Sequence, residues 1–318
     1  SNTPADAPVD QVVATQNETE TAEAGTQEKP TEVSDAQGLK DAVEAGGYIK
    51  LNANITASIE ITNEVHLDLN GKTLTNEAGK PTITVANGGS LTVDGSGTVD
   101  NVSHAKPAVL NQQGGTVVLS GGSYTRSKED SEKNSFYNLQ NLGTMTINSG
   151  VSVTADGHYS SLVANGWKDG SQNTAQEEAN LTITGGNFSG GLNTIKNDDW
   201  GVLEISGGNF SNTTQATVTN WNKATVSGGT FTSEADVFAN GFINDSSDKG
   251  ELTITSGNFT AGEGKSVVMI TGSATNGGKI DISNATMTGN LNLSKAAEVT
   301  ISGTTIDGDI TTVSGANV

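Results

Sequence analysis

Leu181-Thr182-Ile183-Thr184-Gly185-Gly186-Asn187-Phe188 is followed after 22 residues by Leu203-Glu204-Ile205-Ser206-Gly207-Gly208-Asn209-Phe210. After a further 21 comes Ala224-Thr225-Val226-Ser227-Gly228-Gly229-Thr230-Phe231. The shared unit is apolar-x-apolar-x-Gly-Gly-x-aromatic. Alternation of period two is the mark of a strand with one face buried, and paired glycines make a corner that larger residues resist. Looser copies begin at Leu67, Leu91, Val117, Met145, Leu252, Ile280 and Val299, which puts the mean spacing near 26 residues.

A repeat of that length with two or three short strands signals a solenoid. Leucine-rich repeats require a Leu-rich consensus with Asn, which is missing here, and propeller blades need ~40 or more residues. The spacing fits an all-β chain wound as a parallel β-helix of about ten coils, each ~4.8 Å from the last. Leu181 and Ile183 then point inward. Phe188, Phe210, Phe231 and Phe259 are expected to stack in the core rather than to act on a ligand.

Composition agrees with this reading. Of 318 residues 40 are glycine, while hydrophobic residues are 33% and aromatics 4%, too few for a helical globule. Thr, Val and Ile favour strands, and Gly and Asn favour turns. Net charge is −20 and Arg126 is the only arginine, so the clustered cations that bind phosphate are missing and nucleic acid is not an expected partner. There is no cysteine, hence no disulfide and no thiolate metal site, as suits an exported bacterial protein. The longest apolar run, Val267 to Ile270, is far too short to span a membrane.

Residues 1–33 are acidic and lack apolar periodicity, so they are expected to form a flexible tether, with Ser1-Asn2 a remnant of tag removal. Residues 34–318 are the expected β-helix domain. Ser34-Asp35-Ala36-Gln37 has the Ser-x-x-Gln form of a capping box, and Leu39, Ala42 and Val43 share one helical face before Gly46-Gly47. A helix over about 35–45 is therefore expected to cover the first coil, whose open edge would otherwise invite aggregation. No comparable cap follows Val313, so the array is expected to run on beyond this sequence.

These coils resemble the right-handed parallel β-helix superfamily of pectate-lyase-like proteins. More narrowly, they resemble bacterial cell-surface, adhesin-like proteins built of serial Thr-Ile-Ser-Gly-Gly-x-Phe units. Leu67-Asp68-Leu69-Asn70-Gly71-Lys72-Thr73-Leu74, following a helical cap, is similar to the first coil of many of them. The resemblance implies the fold and an extracellular or cell-surface setting. It carries no catalytic residues across, because the matching positions are corners and core.

Three sets of residues are candidates for chemistry. His104, Asp130 and His158 each lie 13 residues after a motif start, so coils in register would stack them as a column able to hold a metal such as Zn²⁺ or to transfer a proton. Loop insertions, as in the 36 residues after Met145, would break that register. Asp307-Gly308-Asp309 and Asp94-Gly95 carry acids of the kind that bind Ca²⁺, but Asp is common in Gly-rich turns for local hydrogen bonding, and the turn reading is preferred. Trp200 and Trp221 each precede a motif start by three residues, which places them at equivalent positions one coil apart. There two indoles could stack on sugar rings, with Asp199, Asn220 and Asn222 reaching the hydroxyls, or could simply cover a corner of the coil. Arg126, in a polar run, reads as part of a solvated loop.

The function expected from these features is that of a secreted or surface-attached module, adhesin-like or glycan-binding, without resident cofactor. A polysaccharide lyase or glycoside hydrolase with its site between Val117 and Leu181 is the alternative, as is a structural stalk. An extracellular glycan or a host or cell-surface ligand is the expected partner.

Overall fold

A computed structural model of the chain describes residues 23–130, 133–167, 177–241, 250–271 and 278–318. The chain winds through three strands per turn, and equivalent strands of successive turns pair in parallel. The result is three long sheets of 12, 11 and 11 strands, a parallel β-helix. The described residues form eleven coils, one more than the motif copies suggest. The extra one is the first, Gly47–Leu51 onward, whose Ile49 pairs with Leu67 although its corner lacks the Gly-Gly signature.

In one representative coil, Gly201–Ile205 lies in the first sheet, Asn209–Asn212 in the second and Val218–Asn220 in the third. Leu203 and Ile205 point inward, as do their partners Leu181 and Ile183 on one side and Ala224 and Val226 on the other. At the corner Gly208 has φ 114°, and a Cβ there would lie 3.0 Å from the Phe210 ring. Glycine is thus required twice, by the backbone and by the ring packed under it. Phe188, Phe210, Phe231 and Phe259 form the expected stack, with centroids 4.8, 4.5 and 5.0 Å apart and planes within 19° of parallel. Phe238 enters from the third sheet and meets Phe231 and Phe259 at an angle.

The third sheet carries a feature that the apolar pattern does not announce. Six of its strands end in asparagine: Asn111, Asn141, Asn165, Asn197, Asn220 and Asn240, each fully buried and each in register with the next. The Nδ2 of each donates to the Oδ1 of the one following, at 2.9, 2.8, 2.9, 2.9 and 2.7 Å. The same Nδ2 groups also donate to backbone carbonyls, such as Gly201 and Lys223 for Asn197, so each side chain closes its own corner while holding its neighbour. Val85 and Ile270 occupy the column at its two ends.

The helix Ala36–Ala45 buries Leu39, Ala42 and Val43 against the first coil. Its cap differs from the expected Ser34–Gln37 box. Asp35 takes the cap position and accepts from the Gly38 N–H at 2.7 Å, because a carboxylate one residue later reaches the same exposed donors. Gln37 instead bonds Asp41. Pairing also begins earlier than expected. Thr31–Val33, inside the segment read as a tether, adds an edge strand against Ile49–Leu51 and buries Val33. Residues 1–22 of the tether lie outside the described residues. Among the described residues, no helix is long and apolar enough to cross a membrane.

Truncating one rung of the asparagine column tests its weight. Asn165→Ala takes the donor from the Asn197 side-chain carbonyl oxygen in a dry interior and one acceptor from the Asn141 amide, which keeps its bonds to the Gly143 and Asn180 carbonyls. The orphaned oxygen is expected to cost about 1–3 kcal/mol. Asn87→Ala, at an exposed turn, is the control. Denaturant unfolding of the two variants should separate them clearly, and equal stabilities would contradict the account.

Candidate functional site

The outward row of the third sheet is long, small, small, long. Lys196 pairs with Thr219, Thr219 with Ala239, and Ala239 with Met269, all at strand positions whose neighbours point into the core. The two small residues leave a notch between the two long ones. Trp221 and Thr271, just beyond the ends of their strands, line it on one side, and Gln215, Ala216 and Asp236, from the corners entering the sheet, line it on the other. The trough holds about 570 Å³, well within the range of small-ligand sites. At ~4.8 Å per coil it runs ~14 Å along the solenoid axis.

Lys196 is the most constrained group in it. Its Nζ lies 4.6 Å from the centroid of the Trp221 ring, 3.4 Å from Asp198 Oδ2 and 3.4 Å from the Tyr137 hydroxyl. Burial alone would favour loss of its proton. The Tyr137 and Asp198 oxygens outweigh that effect, so its proton affinity is raised and it stays an ammonium. A cation over the indole face is itself an attractive contact, so Trp221 is held from one side. Asp236 accepts the Ser266 N–H through Oδ1.

Only Trp221, of the five residues expected at a ligand site, lines this trough. The two tryptophans are not equivalent. Between the paired Asn197 and Val202 lie four residues, but between Asn220 and Lys223 only two, so the earlier corner is longer and Trp200 is displaced. It sits 45% exposed in a left-handed backbone conformation (φ 64°) at that corner's tip. Asn220 belongs to the buried asparagine column, which commits its amide to Asn240 and the Glu251 carbonyl. Asn222 donates to the Gly201 carbonyl across the same corner. The Asp199 N–H donates to Asp198, and its carbonyl accepts from Trp167.

The His104, Asp130 and His158 column does not form. Val99, Tyr124 and Val153 are register partners, yet Tyr124 follows Val117 by seven residues while the other two follow Leu91 and Met145 by eight. The shorter corner shifts Asp130 out of line, where its N–H donates to the Asn134 carbonyl. His158 instead packs against Tyr159. Among the described residues, no three His, Cys, Asp or Glu side chains gather in a way that could hold a metal ion. Asp307 and Asp309 stand exposed on the last coil.

Arg126 is not in a solvated loop. It is 4% exposed and its guanidinium donates to Glu129 at 2.8 Å, to the Lys106 and Ser103 carbonyls at 2.9 and 3.0 Å, and to Asn134. It therefore ties neighbouring corners together. Burial lowers the proton affinity of Arg126 and raises that of Glu129, against the stabilising effect each has on the other.

Comparison of the chain with protein-family models, with curated proteins and with solved structures gives no match. What the fold and the site define is a class, a parallel β-helix solenoid with an amphipathic trough on one long face.

The Arg126–Glu129 unit yields a stability test. Arg126→Met strands a buried carboxylate and is expected to cost about 3–5 kcal/mol near neutral pH. Burial already holds the Glu129 proton affinity above its ordinary value, so the deficit should shrink as pH falls and the carboxyl takes up its proton. Adding Glu129→Leu should recover part of the loss at neutral pH. Unfolding curves at two pH values measure all three effects, and a deficit that grows in acid would contradict the assignment.

Proposed function

We propose that this chain is an extracellular or cell-surface β-helix module of bacterial type that binds glycans through the third-sheet trough. The observation that carries the reading is Trp221, set at the edge of an open trough beside a lysine that steadies its ring. Aromatic rings offer an apolar face to the C–H side of a pyranose, while neighbouring polar groups take its hydroxyls. Thr219, Gln215 and Asp236 supply such groups here. The acidic, cysteine-free composition suits an exported protein. Kinship with pectate-lyase-like and adhesin-like β-helix proteins goes with the same reading and rests on the coil architecture and its corner glycines.

A lyase would need a cation free to stabilise a developing carboxylate charge. The one arginine in the coils considered for catalysis spends its donors on Glu129, Asn134 and two backbone carbonyls, so the binding role is favoured over the catalytic one.

A glycan array followed by tryptophan fluorescence titration tests the proposal. Trp221→Ala is expected to weaken binding by roughly tenfold or more, about 1.4 kcal/mol, while Trp200→Ala leaves it unchanged. Binding that is lost with Trp200 and kept without Trp221 would move the site elsewhere.

A further inference from the structure

Charge in the trough points to the kind of sugar it takes. Among the described residues three charged groups stand in or beside it: Lys196, Asp198 and Asp236. Lys196, the one cation lining it among the described residues, is already engaged by the Asp198 carboxylate, the Tyr137 hydroxyl and the Trp221 ring. The Asp198 side chain is 7% exposed and that of Lys196 20%, so salt screens this pairing less than it would a fully exposed pair. Asp236 then leaves the trough with a net negative charge, within a chain whose total is −20. A ligand carboxylate entering here meets no free ammonium and at least one like charge, and like charges brought together at an interface strongly suppress a wrong partner. Ala216, Ala239 and Met269 add apolar surface that suits ring C–H groups.

We infer that the trough selects short uncharged oligosaccharides, about a trisaccharide in length, and rejects uronate-containing chains of the same size, with Asp198 as the specificity-determining residue that keeps Lys196 from serving as an anion site. The inference rests on the glycan-binding reading above and specifies its ligand class. The length follows from the ~14 Å between Lys196 and Met269.

The test compares cellotriose, mannotriose and xylotriose with trigalacturonate by isothermal titration at low and high ionic strength. At least one neutral trisaccharide should bind with little dependence on salt. Trigalacturonate should bind roughly tenfold or more weakly at low salt, with the gap narrowing as salt screens the repulsion. Asp198→Asn keeps the oxygen that accepts the Asp199 N–H but releases the lysine. It should raise trigalacturonate affinity several-fold relative to the neutral sugars. Asp236→Asn removes a negative charge without releasing Lys196, and its gain should be smaller. Melting profiles like the parent's confirm that both variants are folded. Trigalacturonate binding as tight as that of the neutral sugars, or an Asp198→Asn variant with no gain, overturns the selectivity while leaving glycan binding in place. No binding by any oligosaccharide overturns the glycan-binding reading, and the selectivity falls with it.

Discussion

Six buried carboxamides in a single column constrain the rest of the molecule. A core of stacked apolar side chains excludes water without fixing how far one coil may slide against the next, because burial is non-directional. Hydrogen bonds are directional. From Asn111 to Asn220 each Nδ2 must meet the next Oδ1 and a corner carbonyl at once, and leaving either unmade in a dry interior is costly. All the amides donate the same way along the axis, an arrangement in which successive bonds strengthen one another. The column stops where Val85 and Ile270 replace asparagine, and the Asn111 Oδ1 at its first end is left without a partner.

The trough is a consequence of that register. Because each asparagine is pinned, the residue before it must point outward in line with its equivalents, and Lys196, Thr219, Ala239 and Met269 fall in one row. A notch then needs nothing more than two small residues between two large ones. Corner lengths are not pinned in the same way. Two additional residues after Asn197 carry Trp200 out to solvent, while the tight corner after Asn220 keeps Trp221 beside the row. Rigid rungs thus fix the floor of the site and variable corners furnish its walls, the usual division between scaffold and functional loops.

Coil architecture, core aromatics and the buried face of the capping helix could be read directly from the sequence, because period-two alternation and Gly-Gly corners are local signals repeated many times. The site could not be read that way from the motif start. Counting from Leu203 and Ala224 makes Trp200 and Trp221 equivalent, and counting from Leu91, Val117 and Met145 lines up His104, Asp130 and His158. Both counts run through corners, where a single inserted residue breaks the register. A better origin was present in the strand ends Val163-Ala164-Asn165, Ile195-Lys196-Asn197, Val218-Thr219-Asn220 and Phe238-Ala239-Asn240. Aligned on asparagine, these would have shown the outward row directly. Their burial was hidden because Asn normally signals a turn. Arg126 was missed for a related reason: a charged run reads as solvated until Glu129 and Asn134 are seen folding back over it.

The column itself offers the most direct test. In a nitrogen-resolved NMR spectrum recorded after transfer to D₂O, the side-chain amide protons of Asn111, Asn141, Asn165, Asn197, Asn220 and Asn240 should persist as long as the core backbone amides. The exposed carboxamide of Asn87 should exchange at once. Exchange of all six as fast as that of Asn87 would mean that the carboxamides are open to water, and would contradict an account in which they set the register of the coils.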